Sequence, residues 1–368
     1  MSVRRIRTGL IGCGKVGQIH ADLLRSLPLS DFVGCVGRDF DKTREFSARN
    51  GAHAFRTVAE MASEGHVEAV VVCTPHPLHA DAAVAAANAG MHVLVEKPFA
   101  ATLSDCDRMI RAAEESGVVL SVVSQRRFFE PCQRIRRAID DGKVGRPILG
   151  TVTMLGSRNE AYYRSDPWRG SWKGEGGGVL VNQAPHQLDL LLWYMGPVEE
   201  VYGSWANLNH PYIEVDDTAA AVIRFRSGAL GTILVTNSLD PALYGKVHVH
   251  GDNGATVGVQ TDGGAMFIAG MSKITEPPLN DFWTVKGEES LLAGFQAEDR
   301  AFFGTIDPIA YYQSLQVDDF LRAVVEGRKP LVDAQAGRNT VELFTAIYRS
   351  ERERKPVGFP VPPDTIAP

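Results

Sequence analysis

The residues of this chain best placed to do chemistry are Lys97 and His186. Lys97 lies in Glu96-Lys97-Pro98, where the apolar run His92-Val93-Leu94-Val95 ends. A lysine at the mouth of a buried strand can donate a hydrogen bond or exchange a proton. His186 closes the run Gly176-Gly177-Gly178-Val179-Leu180-Val181-Asn182-Gln183-Ala184-Pro185-His186. Its imidazole accepts a hydroxyl proton near neutral pH, which oxidation of an alcohol requires as hydride leaves the same carbon. A helix starting near Asn182 puts Asn182, His186 and Asp189 on one face through i, i+4 and i+7 spacing. Asn182 is also a candidate N-cap of that helix with Pro185 in its first turn, and the glycines would let backbone approach a ligand.

Departing hydride needs an acceptor, and the N-terminus supplies a site for one. Leu10-Ile11 end an apolar strand and run into Gly12-Cys13-Gly14-Lys15-Val16-Gly17, followed by a helical segment to about Leu27. Three glycines so spaced give a tight turn, an approach to a pyrophosphate and close helix packing, with the helix N-terminus aimed at the phosphates. An acidic residue roughly 20 positions on would bind the ribose hydroxyls of NAD. That place holds Gly37, followed by Arg38 and Asp39. Loss of the acid removes repulsion against a 2′-phosphate and Arg38 offers it a planar donor, so the sequence favours NADP over NAD. Asp39, two positions on, is the alternative acid and would restore NAD.

The elements that position these residues change character part-way along. Apolar strands at Ile6 to Ile11, Phe32 to Val36, Ala69 to Cys73, His92 to Val95 and Val118 to Val123 alternate with helical segments such as Ala80 to Asn88 and Leu103 to Glu115. Alternation of this kind predicts an α/β Rossmann domain, a doubly wound parallel sheet, over residues 1–124, with ligands at the carboxyl ends of its strands. Thr74-Pro75 and Glu96-Lys97 fall at such ends. From 125 to 368 the pattern predicts an α+β domain on a large, mostly antiparallel open sheet for substrate binding and oligomerisation, with strands such as Val198 to Ala206, Thr218 to Phe225 and Leu230 to Asn237. Two closing helices, near Ser314 to Glu326 and Gly337 to Glu351, are candidates to pack back on the first domain.

Composition narrows the function. A net charge of −6 argues against a nucleic-acid partner, and the basic cluster Arg126, Arg127, Arg134, Arg136 and Arg137 reads as a solvated helix face. Five scattered cysteines without metal-ligand spacing imply no metal site and suit a reducing cytoplasm. No apolar run approaches ~20 residues, so no membrane span is expected. Tyr162, Tyr163, Trp168, Arg169, Trp172 and Lys173 form an aromatic and basic segment that reads either as a wall over a sugar or as a core-edge loop. Gln125, Arg126 and Arg127 follow the last nucleotide-domain strand and are candidates to reach the site.

In their order along the chain, Gly12-x-Gly14-x-x-Gly17-x-x-His20, Thr74-Pro75-x-x-x-His79, Ala89-Gly90-x-His92-Val93-x-x-Glu96-Lys97-Pro98, Trp168-Arg169, the glycine run with Asn182-x-x-x-His186 and Asp189, and Phe320 to Pro330 closely resemble the Gfo/Idh/MocA family of nicotinamide-dependent sugar and polyol oxidoreductases. The resemblance implies that Lys97 bridges substrate and nicotinamide ribose, that His186 is the acid/base, and that Asp189 holds a substrate hydroxyl. It implies a cofactor site of Gly12, Gly14, Lys15, Val16, Gly17, Gly37, Arg38, Asp39, Thr74, Pro75, His76, His79, Glu96 and Lys97. The implied substrate site is Lys97, Gln125, Trp168, Arg169, Asn182, His186 and Asp189. A cationic nicotinamide and partial burial would favour the neutral amine of Lys97. In the family the bond before Pro98 is often cis, fixing the direction of the lysine. The chain departs from the commoner family pattern at Asn182, where aspartate is usual and an amide cannot hold charge against an imidazolium. The implied activity is oxidation or reduction of a sugar, inositol or cyclic polyol by a homodimer or homotetramer. Two alternatives remain: transient sugar oxidation serving elimination or glycoside hydrolysis, and a non-catalytic NAD(P)-binding sensor.

Overall fold

Six short apolar runs form parallel strands: β1 (Ile6–Ile11), β2 (Ser30–Val36), β3 (His53–Phe55), β4 (Ala69–Val72), β5 (His92–Val95) and β6 (Leu120–Val122). The computed structural model of the chain describes residues 4–263, 268–269 and 271–363. These strands pair in the order β3-β2-β1-β4-β5-β6, each neighbour parallel. Every residue of β4 is buried, because crossover helices cover both faces of a parallel sheet and leave no position for a polar side chain. The order reverses between β1 and β4, and a reversal of this kind opens a crevice at the strand carboxyl ends where dinucleotides bind. β3, which sequence periodicity did not reveal, is an edge strand of three residues with only Phe55 buried, so it lacks the apolar run that marks the equally short β6.

Two of the glycines after β1 are required by protein contacts. Gly12 has φ +109°, and a Cβ there would stand 2.7 Å from the Cys73 carbonyl. At Gly17, inside the helix Lys15–Ser26, a Cβ would stand 2.2 Å from the Gly12 carbonyl oxygen. A side chain at either position would push the helix off the strand.

The chain divides into two compact units, Met1–Gln125 with Ala310–Arg338 and Arg126–Ile309 with Asn339–Pro368. The first therefore takes in most of the helix Pro308–Glu326, whose Val317, Phe320 and Leu321 join Leu10, Leu24, Val71 and Leu94 in one core. The second unit carries eight strands: β7 (Pro147–Leu155), β8 (Val198–Ala206), β9 (Thr218–Phe225), β10 (Leu230–Thr236), β11 (Tyr244–Gly251), β12 (Thr256–Gly263), β13 (Leu279–Trp283) and β14 (Val357–Gly358). Their order is β13-β12-β11-β7-β10-β9-β8-β14, antiparallel except for the parallel β7–β10 pair. Burial alternates strictly along β9 and β11, the pattern of a sheet with one covered face. The helix Pro185–Met195 lies on the covered face, and a Cβ at Gly150 of β7 would meet Leu191 and Met195 at 2.8 Å.

The packing at Gly17 yields a first test. Gly17→Ala should lower the stability of the chain by roughly 1–3 kcal/mol, the usual cost of overpacking a tight contact, as read from urea unfolding. An unchanged midpoint would mean that the helix can lift from β1 without loss.

Candidate active site

In the first unit a chain of buried polar contacts fixes the ends of the strands. His20, three residues beyond Gly17, hydrogen-bonds through Nε2 to Glu96 Oε1 at 2.7 Å. The other carboxylate oxygen of Glu96 accepts the Lys97 backbone N–H at 3.0 Å. Burial pushes the Glu96 carboxyl up, but the hydrogen bond and charge of His20, the charge of Lys97 and that N–H together outweigh it and hold the group below its ordinary value. Glu96 therefore anchors the backbone from which Lys97 projects. The Lys97–Pro98 peptide bond is cis.

His79 has a different role from the one its motif suggests. It is fully buried, with Nδ1 2.9 Å from the Pro98 carbonyl and Nε2 2.9 Å from the Thr74 carbonyl. With no exposed surface, it sits between the loop after β4 and the loop after β5, and in its neutral form it donates to one of the two carbonyls. Burial lowers its pKa, outweighing the carbonyls that favour the charged form.

The loops around this brace fit a dinucleotide. Where a Cβ would project from Gly14, there is nothing within 4 Å. No side chain caps the helix that Gly14 introduces, and no acidic residue lies in its first turn, the arrangement that suits a pyrophosphate. Lys15 and Val16 form that first turn. Thr74 Oγ1 and Gln125 Oε1 are buried and have no hydrogen-bond partner among the described residues. Pro75 and His76 follow Thr74 in a short 3-10 turn, His76–Leu78. At the end of β2, a Cβ on Gly37 would stand 2.4 Å from Thr43 Oγ1. Arg38 is exposed. Asp39 caps the helix Phe40–Arg49, its Oδ1 accepting the N–H groups of Asp41 and Lys42 at 3.1 and 3.2 Å.

In the second unit the glycine run is packed against protein rather than laid open for a ligand. Gly177 has φ +153° with Tyr348 Oη 2.4 Å from where its Cβ would be, and a Cβ on Gly178 would sit 1.8 Å from the Asp216 carbonyl oxygen. Residues Val179–Gln183 then form a single π turn, closed by the Ala184 N–H donating to the Val179 carbonyl at 2.9 Å. Turns of this type recur at functional sites. Asp216 is its cap: Oδ1 accepts the Gly178 N–H at 2.7 Å, Oδ2 accepts the Leu180 N–H at 3.0 Å, and its carbonyl takes the Val179 N–H at 2.9 Å. Tyr348 Oη donates to Oδ1 at 2.6 Å.

Asn182 is consequently not an N-cap. The helix bearing His186 and Asp189 begins at Pro185, with Ala184 before it and no side-chain cap. Asn182 lies in the π turn instead, where Nδ2 donates to Glu175 Oε1 and, at 2.9 Å, to Tyr162 Oη. Glu175 Oε2 accepts the Gly170 N–H at 2.6 Å. Burial pushes the carboxyls of Glu175 and Asp216 above their ordinary values, against the hydrogen bonds that favour the charged forms.

Asp189 is committed to a bidentate pair, accepting from Arg127 Nε at 2.8 Å and NH2 at 2.6 Å, with the guanidinium 5.1 Å from the Trp193 ring centroid. Arg126 likewise donates to Asp262 at 2.8 Å, and Arg134 pairs with Asp299 at 2.7 Å. The arginine cluster is thus largely a set of buried ion pairs and not a solvated face; only Arg137 of the five is exposed. Tyr162 and Tyr163 are core residues. Arg169 stacks between the rings of Tyr162 and Trp168, its carbon 4.3 and 4.4 Å from their centroids. His186 is buried. Sequence reasoning named His20 in the glycine motif without giving it a role, and it missed Glu175 and Asp216, which left no signal.

A family model described as "Oxidoreductase family, NAD-binding Rossmann fold" matches residues 6–124, and one described as "GFO/IDH/MocA C-terminal domain" matches residues 132–257. The chain belongs to the Gfo/Idh/MocA oxidoreductase family. It is 29% identical to a myo-inositol 2-dehydrogenase from Thermotoga maritima, over 96% of this chain and 98% of the relative. A solved structure of the WlbA dehydrogenase from Bordetella pertussis, in complex with NADH and UDP-GlcNAcA, shares 32% identity at a TM-score of 0.84, covering 98% of this chain and 100% of that one. The WlbA dehydrogenase from Chromobacterium violaceum, in a complex of the same composition, shares 28% identity at a TM-score of 0.82 and covers 98% of both chains. The first unit is thus the nicotinamide-dinucleotide domain of an oxidoreductase. Among the described residues no helix is long and apolar enough to cross a membrane.

The Glu96 network gives a pH test. Because the folded carboxyl sits below its ordinary value, its contribution to stability is present at neutral pH and is lost as pH falls below the usual carboxylate range. The stability difference between the native chain and Glu96→Gln, from urea unfolding, should hold steady from pH about 7 to about 5 and shrink as pH falls below about 4. A difference constant with pH would detach Glu96 from the charges of His20 and Lys97.

Proposed function

We propose that this chain transfers a hydride reversibly between a nicotinamide dinucleotide and a secondary alcohol of a sugar, inositol or related cyclic polyol. The observation that carries the reading is that one chain, similar to sugar and inositol dehydrogenases over nearly its whole length, keeps the complete three-glycine turn together with both proton-handling groups, Lys97 and His186. When bound, the nicotinamide supplies the hydride acceptor or donor. Lys97 hydrogen-bonds the reacting oxygen. His186 takes the hydroxyl proton in oxidation and returns it in reduction. Asn182 offers a neutral hydrogen-bonding group beside His186, and Gln125, Trp168, Arg169 and Asp189 shape the sugar site.

A narrower substrate class, nucleotide-linked sugar acids, is favoured by the UDP-GlcNAcA held in the two related dehydrogenases. Turnover of UDP-GlcNAcA and of myo-inositol with NAD and NADP separates the classes. Stoichiometric reduced cofactor with one keto product would set aside the redox-neutral alternative. Retention of Lys97 and His186 argues against a sensor.

Lys97→Ala should lower turnover by roughly two to four orders of magnitude with cofactor affinity nearly unchanged, and His186→Ala should slow oxidation with partial recovery by added imidazole. Turnover near the native rate in either variant would remove that residue from the mechanism.

We assign the choice of NADP over NAD to Arg38. Asp39 Oδ1 is engaged as a helix cap, and the exposed Arg38 guanidinium offers the donor that a 2′-phosphate would need. Arg38→Ala should weaken NADP binding far more than NAD binding in calorimetric titrations. Equal losses would assign Arg38 to adenine stacking.

The open sheet face points to a homodimer or homotetramer. Tyr202, Val222 and Leu234 on three successive strands are 50%, 54% and 47% exposed, and Tyr202 pairs directly with Val222. Exposed apolar residues grouped on one sheet face mark an interaction surface, and the occupant proposed here is a second copy of the chain. Val222→Glu should shift the sedimenting mass towards the monomer; a monomeric native chain at micromolar concentration would overturn the assignment.

A further inference from the structure

An amide has one end that donates and one that accepts, and at Asn182 the surroundings decide which end faces which way. Nδ2 donates to Glu175 Oε1 and to Tyr162 Oη, so both of its hydrogens are spent on buried partners. Turning the amide over would set its carbonyl oxygen against a carboxylate oxygen, two acceptors without a proton between them, in a buried site where an unmade hydrogen bond is destabilising. Tyr162 Oη, which both donates and accepts, does not decide the orientation; the carboxylate of Glu175 does.

We infer that Glu175 is a positioning residue, whose buried carboxylate holds the Asn182 nitrogen inward and makes the Asn182 carbonyl oxygen the atom presented to the reaction. Asn182 then has the shape and accepting character of an aspartate without its charge. The inference rests on the roles proposed above for Asn182 and His186.

The same geometry accounts for asparagine at this position. Glu175 is held by the Gly170 N–H and feels the charge of Asp216, the carboxylate that caps the π turn, while Arg169 offsets part of that charge. A third carboxylate at position 182 would face Glu175 at hydrogen-bond distance. Two carboxylates that close share one proton, so aspartate there would be protonated or would displace Glu175. A neutral amide keeps the accepting atom and avoids the conflict.

The test exchanges the two groups. Glu175→Gln, Asn182→Asp and the double variant are compared with the native full-length chain by thermal unfolding, and by steady-state turnover of UDP-GlcNAcA and myo-inositol with NAD and NADP. Asn182→Asp should lower both the unfolding midpoint and kcat. Glu175→Gln lets the new amide donate to Asn182 and turn its carbonyl inward, so kcat should fall roughly tenfold, the size of one lost hydrogen bond, with KM for the nicotinamide unchanged. In the double variant the amide introduced at position 175 donates to the carboxylate introduced at position 182, which again presents an accepting oxygen. Midpoint and kcat should then both recover above the values of Asn182→Asp alone. Losses that simply add in the double variant overturn the proposal, as does a Glu175→Gln variant with native kcat. If the native chain turns over neither probe, the functional reading fails on its own. The thermal cycle still decides the coupling, recovery supporting it and additivity refuting it.

Discussion

The candidate chemistry of the second unit depends on one buried carboxylate residue, Asp216. Through its side chain and its carbonyl it satisfies three successive N–H groups at the start of the π turn, those of Gly178, Val179 and Leu180, and it accepts the Tyr348 hydroxyl as well. A buried turn has no water to meet such groups, and each left unpaired would cost roughly 1–3 kcal/mol. This explains the glycines before the turn. Asp216 can reach those groups only if the backbone passes so close that a Cβ at Gly178 would overlap its carbonyl oxygen. With the turn fixed, Asn182 points to Glu175, and the helix that follows starts at Pro185 with His186 in its first turn.

The first unit solves the same problem with histidines. Loops at the ends of parallel strands carry backbone groups that the sheet leaves unpaired, and His79 joins two of these loops through their carbonyls. His20 and Glu96 tie the glycine-turn helix to the loop that bears Lys97. Cofactor turn and lysine are thereby parts of one hydrogen-bonded assembly, so displacing either is resisted by buried polar groups that would lose their partners.

Much of this was legible in the sequence. Five of the six strands of the first unit, the three-glycine turn and the two final helices follow from apolar runs, periodicity and glycine spacing, which are local signals. Lys97 and His186 stood out because residue type and position at an element's end suffice to nominate them. What sequence did not reveal is long-range. Asp216 acts on a turn 36–38 residues before it, and Arg127 finds Asp189 across 62 residues; no spacing rule reaches that far. The glycine run and His79 were misread for a related reason. Close backbone approach and a strand-end histidine look the same in sequence whether the neighbour is a ligand or the protein itself.

Catalysis on this reading turns on direct hydride exchange between the carbinol carbon of a sugar or cyclic polyol and the nicotinamide. The most direct measurement follows deuterium from that carbon, with labelled myo-inositol or UDP-GlcNAcA as substrate and mass spectrometry of the nucleotide recovered. Deuterium in the reduced nicotinamide, with a keto product in equal amount, is the predicted result. Product formed with no label in the nicotinamide would contradict it.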